Sequence, residues 1–183
     1  IDTQKLDKLI VHIGKLREGT IQDVEVRLRV NENHRNAVQR AHSATHLLHA
    51  ALREVLGEHV RQEGSLVEPD RLRFDFLHFS KVKDEEIREV EKIVNEKILE
   101  NIPLKIRYIN YEEALREGAM ALFEGKYGEI VRVIYIGDFS RELCGGTHVK
   151  STGDIGFFKI IKEEASSANV RRIDAYTGLR ALE

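Results

Sequence analysis

A chain of 183 residues is long enough for one full core with a smaller appended piece. Its 29 basic residues against 31 acidic ones leave a net charge of −2, which excludes a bulk polyanion binder. Contact with nucleic acid then has to come from a local patch, a specific end or other domains. No apolar run approaches the roughly 20 residues a membrane span needs. A single cysteine gives no disulfide framework, and nothing at the start resembles a secretory signal. The expectation is a reducing, cytoplasmic setting with no membrane partner. The chain opens on Ile1 rather than methionine, which predicts a piece of something longer.

In chain order, Leu9–Val30 reads as two strands. Leu9-Ile10-Val11 and Ile13 form an apolar run, Arg17-Glu18-Gly19-Thr20 is a turn, and Val24, Val26, Leu28 and Val30 alternate with charged residues. Asn31-Glu32-Asn33 offers an N-cap for a helix running to Leu56 and closed by Gly57. Val38, Ala41, Thr45, Leu48, Leu52 and Val55 make its core stripe, with His42, His46 and His49 on the flank. Strands are expected over His59–Val67 and Arg71–Phe79, joined by the turn Glu68-Pro69-Asp70-Arg71. Leu72, Phe74 and Phe76 face one way and Arg73 and Asp75 the other. Asp84 can cap a second helix to about Asn101, stopped by Pro103. A strand Leu104–Ile109, a short helix Tyr111–Glu117 and a strand Glu129–Ile136 follow. The loop Gly137–Gly146 delivers Cys144, strands over Ile155–Lys162 and Val170–Tyr176 finish the sheet, and Gly178–Glu183 begins a helix. The fold class is α+β, an antiparallel sheet on two long helices.

Two short stretches carry the chemistry. AHSATHLLHAA, Ala41–Ala51, puts His42 and His46 four residues apart, one turn along one helix face, so both imidazoles can reach one ion. ELCGGTHV, Glu142–Val149, puts Cys144 and His148 four apart, with Gly145 and Gly146 able to turn the backbone tightly beside an ion or substrate. Three nitrogens and one thiolate make a tetrahedral set suited to zinc. Histidines at that spacing also occur by chance, and the bland reading of Cys144 is a buried free thiol. The glutamate of the metalloprotease HExxH pattern is missing, and no carboxylate in either stretch stands out as a general base. His49 is either a support for His46 or a half-buried cleft residue, and His12, His34, His59 and His78 default to surface or packing. Gln62 can hydrogen-bond a ligand or simply face solvent. Arg171 and Arg172 alternate on a strand, so only one can face a given phosphate, and an ion pair is the equal alternative.

HSATHLLHAAL, RQEGSLVEPDRLRFDF, GDFSRELCGGTHV and VRRIDAYTG stand in the order found in the editing domain of alanyl-tRNA synthetase. The chain resembles that domain from about Leu9 to Gly178. The domain is related in turn to free-standing alanyl-tRNA editing proteins and to the threonyl-tRNA synthetase editing domain; GSLV…LRFDF favours the alanyl branch. The resemblance implies a zinc-containing deacylase that hydrolyses seryl- or glycyl-tRNA(Ala). Its partners would be the acceptor end of that tRNA and the remaining synthetase domains in cis. It implies Zn2+ held by His42, His46, Cys144 and His148, with Thr45 and Gln62 in the substrate pocket; the residues themselves add Gly145 and Gly146 beside the substrate and one of Arg171 and Arg172 as an RNA contact. The resemblance makes residues 1–32 the end of a truncated β-barrel and residues 33–183 the zinc-binding editing domain. Asn169 stands where the family more often has glycine, a change expected to touch only turn geometry. Four protein ligands usually mark a closed structural zinc, so a zinc-stabilised tRNA-binding module without hydrolytic activity is the alternative, with an unrelated zinc hydrolase third.

Overall fold

The structure, a computed structural model, describes residues 2–7, 9–22, 25–121 and 127–183, which fall into two compact units, 1–30 and 31–183. In the first, β1 (Asp2–Leu6) and β2 (Leu9–Ile13) form an antiparallel hairpin. Asp7 takes the positive φ of 53° that the tight connection requires. The strand expected through Val30 is absent: 25–30 has no regular structure, and Val26, Leu28 and Val30 are exposed. Val24 lies outside the described residues. Alternation defines a face, but a strand also needs a neighbour for its amides, and none is paired there.

The second unit is built around α1 (Glu32–Leu56). The Asn31 side chain accepts from the His34 N–H at 3.0 Å, and Gly57 closes the last turn by donating to the Arg53 carbonyl. The middle of α1 is buried on nearly every side, because it contacts α2 (Asp84–Leu99), a four-stranded sheet and a three-stranded sheet together. Ala41, Ala44, Leu47, Leu48, Ala51 and Leu52 are fully buried, and so nearly are His46 and His49. His46 and His49 therefore do not sit on the flank of a stripe, because the second sheet has turned that part of it into interior; His42 stays half-buried.

The four-stranded sheet runs β3 (Gln62–Glu68), β4 (Arg71–Leu77), β9 (Val170–Thr177), β8 (Phe158–Ser167), all antiparallel. Leu72, Phe74 and Phe76 are fully buried, as their alternation requires. The β3–β4 turn docks on α1: Asp70, at φ 53°, takes Arg40 in a bidentate pair at 2.7 and 3.0 Å. The turn between β8 and β9 holds Asn169 at φ 60°, a conformation asparagine accepts nearly as readily as glycine.

The three-stranded sheet runs β5 (Leu104–Asn110), β6 (Ile130–Ile136), β7 (Ser140–Leu143), with the short α3 (Tyr111–Arg116) between β5 and β6. Strand β7 occupies what reads in sequence as loop, and the single expected sheet is in fact two. On α2, Val90, Ile93, Val94 and Ile98 face inward. Its cap differs from expectation: Lys83 is the extended residue, and the Glu86 carboxylate accepts from its N–H at 2.8 Å. A 3₁₀ turn over Gly178–Leu182 ends the chain. Among the described residues no helix is long and apolar enough to cross a membrane.

Candidate metal centre

His42, His46, Cys144 and His148 come together with their ligand atoms all within 4.8 Å of one another. Helix α1 supplies the first two from adjacent turns. Strand β7 brings the chain to Cys144, whose N–H donates to the Arg132 carbonyl at 3.1 Å as a continuation of the ladder. From there Gly145 and Gly146 turn the loop back toward α1. A Cβ on Gly146 would stand inside contact distance of the His42 ring, 2.7 Å from its Nδ1, whereas one on Gly145 would meet nothing within 4 Å. Only the second of these glycines is required for space.

Each imidazole spends its Nδ1 on the protein and turns Nε2 inward. His42 Nδ1 lies 3.2 Å from the Thr147 carbonyl, His148 Nδ1 3.2 Å from Ser43 Oγ, and His46 Nδ1 2.5 Å from Glu142 Oε2. The Nε2 atoms of His42 and His148 lie 3.4 Å from Cys144 Sγ, and the buried Nε2 of His46 has no hydrogen-bond partner. An unpartnered nitrogen deep in a shell is costly unless something else occupies its lone pair. With one sulfur, three nitrogens and outer groups that fix the tautomers, the four residues fit a metal ion.

Electrostatics favours the ligand forms of Cys144 and His148. Burial alone would push the Cys144 thiol up, but hydrogen bonds with His148 and His42 and the nearby charge of His46 hold it down, to about 3. Burial is the main reason His148 falls to about 4, keeping its lone pair free near neutrality. Burial works against the Glu142 carboxylate as well, yet the charge and hydrogen bond of His46 keep it ionised. For His46 burial is again opposed, by Glu142 and Cys144, which raise it, so a cation arriving at its Nε2 displaces a proton.

Glu142 is the functional residue that sequence reading missed. It is 1% exposed, and its second oxygen takes His49 Nδ1 at 2.9 Å. His49 therefore supports His46 through a shared carboxylate, without touching it directly. The signal was alternation: in an extended segment, residues two apart share a face, so Glu142 had to point where Cys144 points.

The remaining candidates have definite places. Thr45 is 4% exposed and its hydroxyl donates to the Ala41 carbonyl at 2.9 Å, which leaves its oxygen free only as an acceptor. Gln62 opens β3 beside a bulge between it and Gly64, its amide donating to Ser65 Oγ at 3.2 Å. Arg171 holds Glu163, and Arg172 holds Asp75 in a bidentate pair at 2.6 and 2.8 Å. A cleft of about 490 Å³ opens beside His148 between Asn36, Gln39, Arg40, Lys150 and Asp154. A larger one, about 600 Å³, is lined by Lys105, Arg107 and Tyr135 and includes none of the four donors. Its Arg107 and Tyr135 already bind Glu117.

Residues 131–174 match the family described as the threonyl and alanyl tRNA synthetase second additional domain. The chain is 58% identical over 176 residues to an alanine–tRNA ligase of Thermotoga maritima, covering 96% of this chain and 20% of the relative. It is 57% identical over 178 residues to that of Fervidobacterium nodosum, covering 97% and 20%, and 55% identical over 185 to that of Carboxydothermus hydrogenoformans, covering 100% and 21%. The chain thus spans about a fifth of the length of these relatives. The resemblance carried by the four ordered motifs holds over nearly the whole sequence.

Proposed function

We propose that this chain is the editing domain of an alanine–tRNA ligase, an aminoacyl-tRNA deacylase that removes serine or glycine wrongly attached to tRNA(Ala) in the cytoplasm. In this reading residues 33–183 form the zinc-binding editing domain and residues 1–32 the end of a β-barrel. The observation that carries it is the convergence of His42, His46, Cys144 and His148 in a chain similar to these ligases.

The need for such a site is physical. A pocket shaped for alanine gains only about 1–3 kcal/mol against a substrate differing by a small group, too little to exclude serine. A second site can invert the preference by binding the serine hydroxyl. Thr45 suits that task, because its proton is committed to Ala41 and its oxygen can only accept. Alanine would leave that buried acceptor unpaired. No residue here accounts for glycine.

His42, His46, Cys144 and His148 would hold Zn2+, which would supply positive charge beside the ester. Glu142 holds the tautomers of His46 and His49 and, spent on both, is not free to act as a general base. Proton transfer falls to an ordered water or to the ribose 2′-hydroxyl of the substrate. In this reading Gly145, Gly146 and Gln62 serve the substrate pocket, and Arg171 and Arg172 reach RNA phosphate only with the edges their carboxylates leave free. Four protein donors also support a second reading, a zinc-braced tRNA-binding module without hydrolysis.

Incubating the chain with seryl-, glycyl- and alanyl-tRNA separates the two. Faster ester loss from the seryl and glycyl forms supports editing, and equal slow loss from all three overturns it.

A further inference from the structure

The three-stranded sheet has two faces, and one of them is only partly covered. Ile109, Val131, Val133 and Leu143 point to the side where Ala114 of α3 packs. Leu104, Ile134, Ile136 and Cys144 point the other way, into the main core, as does Glu142, the register partner of Ile134. By alternation Ile106 and Tyr108 share this second face, with Arg132 opposite Tyr108 and Ile130 opposite Asn110. Yet Ile106 is 47% exposed, Ile130 59% and Tyr108 70%. The face that carries Glu142 into the metal centre therefore continues outward as an open platform.

Tyr108, Arg132 and Cys144 stand in one row across that sheet. Tyr108 is the register partner of Arg132, whose carbonyl accepts from the Cys144 N–H. The Arg132 guanidinium crosses to the Cys144 carbonyl at 2.5 Å. Neighbouring strands lie about 4.8 Å apart, so Tyr108 is roughly 10 Å from Cys144 along the row, on the order of one nucleoside. A tyrosine standing on a sheet face beside an arginine is a common way to seat an unpaired base.

We infer that Tyr108 is the stacking platform for the terminal base of the RNA whose ester reaches the four-donor cluster. This rests on the deacylase reading and adds a positioning residue to it: Tyr108 holds the base, and the ribose then spans to the cluster. Ile106 and Ile130 border the ring with apolar surface, and Arg132 adds positive charge. A protein partner is the other class an exposed aromatic patch can seat. The alignment with Cys144 at a nucleoside's length favours RNA.

The test uses the zinc-loaded chain and a short RNA hairpin with a single-stranded 3′ end whose last base is 2-aminopurine. Stacking quenches that base. The expected result is quenching by the wild-type chain, retention with Tyr108→Phe, and loss with Tyr108→Ala. On seryl-tRNA, Tyr108→Ala should raise KM on the order of tenfold with a smaller effect on kcat. Hydrolysis by wild type with no quenching, or with KM unchanged in Tyr108→Ala, overturns this inference and leaves the deacylase reading intact. Quenching that depends on the ring, in a chain that hydrolyses no aminoacyl-tRNA, overturns the deacylase reading while supporting the stacking site. A patch that seats protein instead leaves the fluorescence unchanged and counts against the inference.

Discussion

Glu142 Oε2 lies 2.5 Å from His46 Nδ1, and the other oxygen of the same carboxylate lies 2.9 Å from Nδ1 of His49. One buried acid thus fixes the tautomers of two imidazoles and raises the basicity of the one that faces the cluster. In Glu142→Gln the charge is lost and the amide can accept from only one ring. Zinc affinity, measured by chelator competition, should fall about 10- to 100-fold while the circular dichroism spectrum is retained. Undiminished affinity would mean that His46 is not a ligand.

The two glycines of the loop should behave differently. A methyl at position 146 meets the His42 ring, which has a ligand's fixed orientation and cannot withdraw without leaving the cluster. Gly146→Ala should lose zinc, read as metal per chain by elemental analysis, with little change in the secondary structure. Gly145→Ala has open space and should keep the metal. Equal effects from both would point to backbone conformation as the cause.

Asp75 is 8% exposed, and Arg172 satisfies both of its oxygens. Arg172→Ala leaves a carboxylate buried with a reduced set of donors, Arg73 at 3.7 Å being the remaining cation. The melting temperature should drop by several degrees, and Arg172→Lys should recover only part of it, since an ammonium cannot reproduce the paired geometry. A variant as stable as wild type would free Arg172 for an RNA-facing role.

His59 Nε2 and His78 Nδ1 lie 2.9 Å apart. Burial first and the neighbouring His59 second lower the pKa of His78 from its ordinary 6.5, with Glu86 and Glu163 opposing. The unfolded chain then binds more protons at His78 than the folded one as pH falls below 6.5, so the contribution of His78 to stability is lost on acidification. Urea midpoints at pH 7.5 and 5.5 should converge in His78→Asn relative to wild type. Identical pH sensitivity in the two chains would assign the effect elsewhere.

Local pattern made much of this legible, and long-range pairing did not. The spacing of His42 and His46 on a helix, and of Cys144 and His148 around two glycines, marks candidate donors locally, and the fold brings the two pairs together. Glu142 meets His46 across 96 positions and His49 across 93, and no local pattern states such a meeting. Strand β7 is four residues long and follows a turn, too short for alternation to stand out. Residues 25–30 show the converse: alternation without a partner strand. The division into two sheets, which buries α1 on nearly every side, depends on strand order, and hydrophobic period carries no information about it.

Thr45→Val keeps the volume and branching of the side chain and removes only the oxygen. Its hydroxyl bonds the Ala41 carbonyl within the same helix, a bond the helix does not require, so the fold should tolerate the change. What disappears is the buried acceptor that the deacylase proposal assigns to a serine hydroxyl, worth about 1–3 kcal/mol between a substrate that fills it and one that leaves it empty. The ratio of kcat/KM for seryl- over alanyl-tRNA should therefore fall roughly tenfold, each 1.4 kcal/mol being a factor of ten. Glycyl-tRNA has no side-chain hydroxyl, so its rate should hardly move. If both rates fell together, Thr45 would be acting on the geometry of the cluster through its neighbour His46. If neither moved, the hydroxyl would be recognised by some other group.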